Sequence, residues 1–493
     1  MNMIVISLIL SVFFLDFFHF NVKILPRAAT WLPDLIMLTT GGIVAFRISL
    51  KQYFDMDIKY IYCIALFILV IAFGSVLNDV GPFKLLVGAR LHLKHLAIFL
   101  LPAVYRFNEK ELKTQLLLLL PLLLMQAPVA VIQKLYAVFA LRKYSGDIVQ
   151  GTLFSPNPLA VAMLCGIAVL FAFYLKREVS LRTFLLSSLC MFIPTTICES
   201  KATLVYLPII LILPPIFCGG YMKGSKKKAI LTASVVWIVC MSLFVPMYNI
   251  IVSHEQRKDM DNFRSIASGE YFSSYLYSGI NERHLLNNAI KGWNSKDGYI
   301  LGQLRRIDQV AVAFKHLHDK SFLNLMSGGG IGITFSSYLE SANTGSNASS
   351  KTKSKYPSAS YITKNITNLN AIDLLPLTAD VTVSILLWEV GIMGVFVYCL
   401  FFFLLFRDSI LLSRSSGVSG ALGLGWCTVT VVIFLALGYF NLEHSNAINL
   451  LFWYFSGIVA ARAFRLRRWN EAPYASGMHG PGLYARGKHP AFD

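Results

Sequence analysis

AILTASVVWIVCMSLFVPMYNII, residues 229–251, runs for 23 residues without a charged side chain; a polar island of 126 residues, 252–377, follows before the chain turns apolar again at 378. In lipid each backbone polar group must be satisfied within its own segment, so a run of about 20 apolar residues crosses as a helix. Reading outward from this junction gives twelve such runs: 3–20, 29–49, 58–77, 83–105, 114–139, 157–175, 183–198, 202–218 and 229–251 before the island, then 378–406, 421–440 and 444–462. The expected fold is an all-α integral membrane protein of about twelve transmembrane helices. Its parts are a membrane domain of nine helices over 1–251, one large loop over 252–377, a second membrane part over 378–462 and a disordered tail over 463–493. The first run has no small-residue cleavage site behind it and is expected to be retained as a helix.

Composition supports the class: 56% of residues are hydrophobic and 14% charged, with a mean hydropathy of +0.60. Lys and Arg are distributed unevenly between alternate short segments. With the N-terminus inside, the inner segments and tail carry 21, and the short outer segments carry five: Lys23, Arg27, Arg142, Lys143 and Lys201. Cytoplasmic segments are the Lys/Arg-rich ones, so both termini are expected inside and the island outside. The same bias accounts for most of the net charge of +18. Arg462, Arg465, Arg467 and Arg468 read as anchors to anionic lipid, and no nucleic-acid partner is needed. All eight cysteines fall inside apolar runs, so the island is expected to hold its shape without disulfides.

Within the island, Val310, Ala313, Phe314, Leu317 and Leu325 approximate a helical stripe, whereas 336–370 is rich in Ser, Thr and Asn and reads as a loop or lid. No phosphate-binding loop, metal-ligand spacing or nucleophile triad is present, so neither metal nor cofactor is called for. Four runs stand out. They are Gly151 to Ala160 with Asn157 inside it, Arg305-Arg306 leading to Gly328-Gly329-Gly330-Ile331-Gly332, Asp380 nine residues before Glu389-Val390-Gly391, and Glu199-Ser200-Lys201. Arg90, His92, Lys94 and His95 cluster in the outer half of the fourth run. Arg90 and Lys94 are i, i+4 and share a helix face, and ionisable groups at membrane depth carry a functional hypothesis.

In order and spacing these runs resemble the O-antigen ligase and O-antigen polymerase superfamily of bacterial envelope glycosyltransferases, over nearly the whole chain. The resemblance implies an inner-membrane enzyme without a metal. It would move a glycan from a polyprenyl diphosphate carrier to an acceptor hydroxyl at the periplasmic face, alongside other proteins of envelope polysaccharide assembly. Lys201 stands where the family has Arg, and Asp380 where ligases carry a histidine. This favours polymerisation of an exopolysaccharide, capsule or O-antigen, with ligation to lipid A core as the alternative and a lipid-linked glycan transporter as the rival from another class.

Chemistry of that kind needs cations on the leaving diphosphate and a base near the hydroxyl. Arg305 and Arg306 offer forked donors. Arg90, Lys94 and Lys201 offer further cations, and Gly330, Gly332 and Asn157 complete the expected diphosphate site. Asp380 is the expected base, with an N-cap role competing. Glu443-His444, His316 and His318 are alternatives. Glu389 lies about 14 Å beyond Asp380 along a helix and reads as structural.

Overall fold

The computed structural model describes residues 1–50, 53–142, 148–153, 155–198, 202–217, 226–251, 306–334, 382–438 and 446–475. Among them every regular element is a helix. In chain order they are α1 (Asn2–Asp16), α2 (Leu32–Ser49), α3 (Ile58–Leu77), α4 (Pro82–Leu93), α5 (Leu96–Val104), α6 (Glu109–Leu124), α7 (Gln126–Phe139) and α8 (Pro156–Leu175). Next come α9 (Leu181–Ile197), α10 (Ala202–Phe217), α11 (Lys226–Ile251), α12 (Arg306–Lys320), α13 (Phe322–Ser327), α14 (Thr382–Ser413), α15 (Gly417–Leu437) and α16 (Asn446–Ala475).

Eight helical stretches among the described residues are long and apolar enough to cross a membrane, or nine if α4 and α5 form one bent span. The chain is therefore a multi-pass helical membrane protein. The seventh, eighth and ninth apolar runs correspond to shorter apolar helices, Leu181–Ile197, Val205–Phe217 and Ala229–Leu243.

Capping and sequence pattern set the helix starts. Asp57 accepts from the Lys59 amide at the head of α3, and Asn108 and Glu111 form a reciprocal capping box at α6. Pro82 and Pro156 sit in the first turns of α4 and α8, where a missing N–H costs nothing. The core lies around α8, α15 and α16, each 83% buried over its apolar window, against 22–33% for the first three spans. Polar side chains pair across helices inside it: Trp426 Nε1 donates to Ser456 Oγ (3.0 Å) and the Tyr454 hydroxyl to Gln115 Oε1 (2.7 Å).

Three expectations change. The fourth run is two helices bent by 44° at Lys94-His95. The tenth run is interrupted at Gly391, whose φ is 64° and ψ −167°. The last helix continues beyond residue 462 to Ala475, and the tail arginines are mostly not lipid anchors. Arg462 is 2% exposed; it donates to Ser419 Oγ and to the Phe107 carbonyl (2.9 Å) and lies 3.5 Å from Glu109. Arg467 pairs with Asp408 (2.7 Å) and Asp57 (3.1 Å). Arg465 lies 3.7 Å from Asp55, and Arg468 alone of the four is exposed. The acidic partners come from distant segments, so the arginines knit α3, α6, α14 and α16 together at the end of the bundle nearest the tail.

Candidate functional site

At the opposite end, where the island joins the membrane part, α12 and α13 pack against α14. Ala313, Leu317 and Leu325 bury as the stripe predicted, while Phe314 is 45% exposed. Ser321 caps α13 by accepting from the Asn324 amide. The chain then enters the glycine run, which inserts between α3, α4 and α14.

The run is anchored by backbone chemistry. The Gly329 amide donates to the Trp388 carbonyl at 2.7 Å, a carbonyl whose ordinary helical donor is displaced by the break at Gly391. Asn78, at the end of α3, donates to the carbonyls of Gly74 (2.8 Å) and Gly328 (3.1 Å), and Lys320 donates to its Oδ1 at 3.0 Å. Gly330 and Gly332 approach protein rather than an open site: the positions a Cβ would take are blocked by Val80 and by the Lys84 backbone respectively. The glycine run of the second motif and the Glu389-Val390-Gly391 part of the third are thus one interlocked unit.

This unit encloses Glu389, 1% exposed. Its Oε2 accepts from His92 Nε2 at 2.5 Å. Its Oε1 accepts from the Thr334 amide at 3.2 Å and from the Thr334 hydroxyl. Both oxygens of this buried carboxylate therefore have hydrogen-bond donors. The carboxylate thus holds the His92 ring in place. Glu389, read from sequence as structural, is the centre of the cluster.

The neighbouring face of α4 carries the predicted cation pair. Arg90 and Lys94 converge as expected, but on a carboxylate: Arg90 is ion-paired with Asp34, and Lys94 Nζ lies 3.6 Å from Asp34 Oδ1. Arg90 also lies over the Trp31 ring at 5.2 Å, and Lys94 donates to Asn446 Oδ1 at 2.5 Å. His95 is buried, and its Nε2 has no partner among the described residues.

Asn157 sits in the first turn of α8, and no hydrogen bond among the described residues links it to this cluster. The turn before it is held by two glutamines of α7: Gln133 with Gly151 (2.8 Å) and Gln126 with Thr152 (2.8 Å). Arg306 opens α12. Arg305, Asp380, Lys201, Glu443 and His444 lie outside the described residues. His316 packs on Trp388 with ring centroids 5.1 Å apart, and exposed His318 faces Asp319 at 3.7 Å. Sequence reasoning missed Thr334, Asn78, Asp34 and Asn446; His92 was visible only as one of the four ionisable residues clustered in the outer half of the fourth run.

Fold and cluster together define a multi-pass helical membrane protein with an ionisable pair buried where two broken helices meet. No protein-family model matches the chain, and no curated protein is similar to it.

Proposed function

We propose that this protein is a glycosyltransferase of the O-antigen polymerase and ligase kind, in a bacterial inner membrane with both termini cytoplasmic and about twelve spans. The observation that carries the reading is the buried His92–Glu389 pair, locked by the glycine run at the island end of the bundle. In this scheme the acceptor hydroxyl attacks the anomeric carbon of the carrier-linked glycan. The new glycosidic C–O bond forms, the anomeric C–O bond to phosphate breaks, and polyprenyl diphosphate departs with the bond's electrons. His92 takes the hydroxyl proton, with Glu389 balancing the imidazolium. Arg90 and Lys94, with Arg305 and Arg306 from the island, stabilise the leaving diphosphate. Polymerisation is preferred over ligation because Asp380 stands where ligases carry histidine.

The test is a deletion strain analysed for glycan chain length. Single repeats on the carrier support a polymerase, full-length unligated chains support the ligase alternative, and unchanged glycan overturns both.

A second reading, a lipid-linked glycan transporter, is favoured by one observation: two interrupted helices, α4–α5 and α14, meet around buried ionisable groups, as in secondary transporters. Carrier-linked single repeats that accumulate on the cytoplasmic side would support it; accumulation on the periplasmic side supports the transferase.

A further inference from the structure

Phe322 and Leu323, at the head of α13, are 69% and 50% exposed, although the next two residues of the same short helix, Asn324 and Leu325, are buried. Two adjacent large apolar side chains gain by leaving water. What lies against them is decided by their depth.

α3 supplies the ruler. Its apolar span Ile58–Leu77 has 20 residues, about 30 Å at 1.5 Å per residue, the thickness of one hydrocarbon core. Asp57, at one end, pairs with Arg407 and Arg467 of the tail-end lattice. Asn78, at the other end, therefore marks the boundary on the island side. α13 is tied to that boundary before and after. Lys320, just before it, donates to Asn78 Oδ1 at 3.0 Å. At its last residue, the Ser327 carbonyl oxygen blocks the position a Cβ on Gly74 would take. Gly74 stands three residues inside Leu77, about 4–5 Å along the helix. Phe322 and Leu323 lie between these two ties, where hydrocarbon gives way to headgroups. At this level the free side of α3 is itself lipid-facing, with Phe73 53% and Val76 81% exposed, and α13 packs on α3 and α14 at the edge of the bundle. Aromatic and large aliphatic side chains are favoured at that depth, where an apolar face sinks roughly 5–10 Å into the boundary.

We propose that the head of α13 is an interfacial anchor: Phe322 and Leu323 insert into the leaflet on the island side, and their partner is the acyl–headgroup boundary of its phospholipids. The glycine run follows α13 directly and leads to Thr334, the donor to Glu389. The bilayer surface thereby sets the depth at which Thr334 meets Glu389. Part of the island, expected from sequence to lie outside, belongs to the edge of the membrane. Nothing in this placement depends on the chemistry of the His92–Glu389 pair.

The test is site-specific photocrosslinking of the full-length protein in nanodiscs of phosphatidylethanolamine and phosphatidylglycerol. p-Benzoylphenylalanine is placed by amber suppression at Phe322 or Leu323. Val76 serves as the lipid-facing reference and exposed Asp319, in the last turn of α12, as the water-facing one. Intact mass after irradiation should show a phospholipid adduct at Phe322 and Leu323 in a yield comparable to Val76 and well above Asp319. Crosslinks from both positions only to other parts of the chain would mean that protein covers this face. No adduct, or no more than at Asp319, would mean that water does. Either result overturns the proposal. A second measurement needs no bulky probe. Phe322→Ser combined with Leu323→Ser should speed amide hydrogen exchange across α13 at least about tenfold, less than the burial of one large apolar side chain is worth. Unchanged exchange in that variant would show that the two side chains face water and would overturn the anchor as well.

Discussion

Gly328 and Gly391 interlock across the break in α14. A Cβ on Gly328 would lie 2.5 Å from the Glu389 carbonyl carbon, and one on Gly391 would lie 2.5 Å from the Met326 carbonyl oxygen. Both have positive φ, 78° and 64°, with ψ near 180°, a region essentially restricted to glycine. The helix break and the inserted glycine run thus require each other, and between them they close the shell around Glu389.

Gly391→Ala and Gly328→Ala should each destabilise the protein by about 1–3 kcal/mol through backbone strain alone, with the steric clash adding to it. Gly42 is the control: a Cβ there meets nothing within 4 Å, and Ala in a helix interior is favoured over Gly by up to about 1 kcal/mol. Thermal unfolding in detergent should show lower transitions for the first two variants and an unchanged or higher one for Gly42→Ala. Equal transitions in all three would mean that the interlock contributes nothing.

The ion-pair lattice at the tail end has a pH signature. At Asp57, burial works upward on the carboxyl, but the Lys59 amide and the guanidinium groups of Arg467 and Arg407 outweigh it and hold the carboxyl below its ordinary range. A depressed folded-state value means stability that is present above the unfolded value of about 3.9 and lost as pH falls through the folded value. Asp57→Asn keeps the cap and removes the titration. Below about pH 4 the wild-type melting temperature should therefore fall more steeply than that of Asp57→Asn, while above pH 5 the two curves should run parallel. Parallel curves throughout would exclude Asp57 as a contributor.

Orientation is testable from the Lys/Arg bias of 21 to five between inner and outer segments. A reporter fused near Asn347 should read periplasmic and one near Gly477 cytoplasmic. The opposite pair of readouts would put the His92–Glu389 end of the bundle on the wrong side for periplasmic glycan assembly.

Hydropathy made the membrane class and most helix positions legible, because a bilayer demands continuous apolar segments. It did not reveal the break at Gly391, since apolar character runs through it, nor the one at Lys94-His95, where the ionisable residues were read as part of one continuous span. The glycine run and the Glu389-Val390-Gly391 run were visible as separate motifs, but nothing in one sequence says that residues 92, 334 and 389 meet. The tail arginines were misread for the same reason: Asp55, Asp57 and Asp408, which neutralise two of them, are far away along the chain.

Two residues now compete for the base. Asp380 was selected by its spacing from Glu389, and its unperturbed pKa of about 4 makes it a weak base. It lies outside the described residues, two positions before Thr382, where α14 begins; Asn serves as a cap about as well as Asp. His92 is a better base by its ordinary pKa of about 6.5, and Glu389 holds its ring. If His92 is the base, His92→Asn should reduce glycan synthesis by about 10²–10⁴-fold, and Asp380→Asn should leave it near wild type. Glu389→Gln retains an oxygen for the Thr334 amide and removes the anion behind the ring; it should impair synthesis as His92→Asn does. Residues acting as one unit are strongly non-additive, so the double variant should be little worse than either single one. Removing one partner of a buried pair costs about 3–5 kcal/mol of stability, so membrane-inserted amounts of each variant are to be matched before rates are compared. Normal synthesis by folded His92→Asn, with loss in Asp380→Asn, would return the base to Asp380 and leave the His92–Glu389 pair as a clamp for the glycine run.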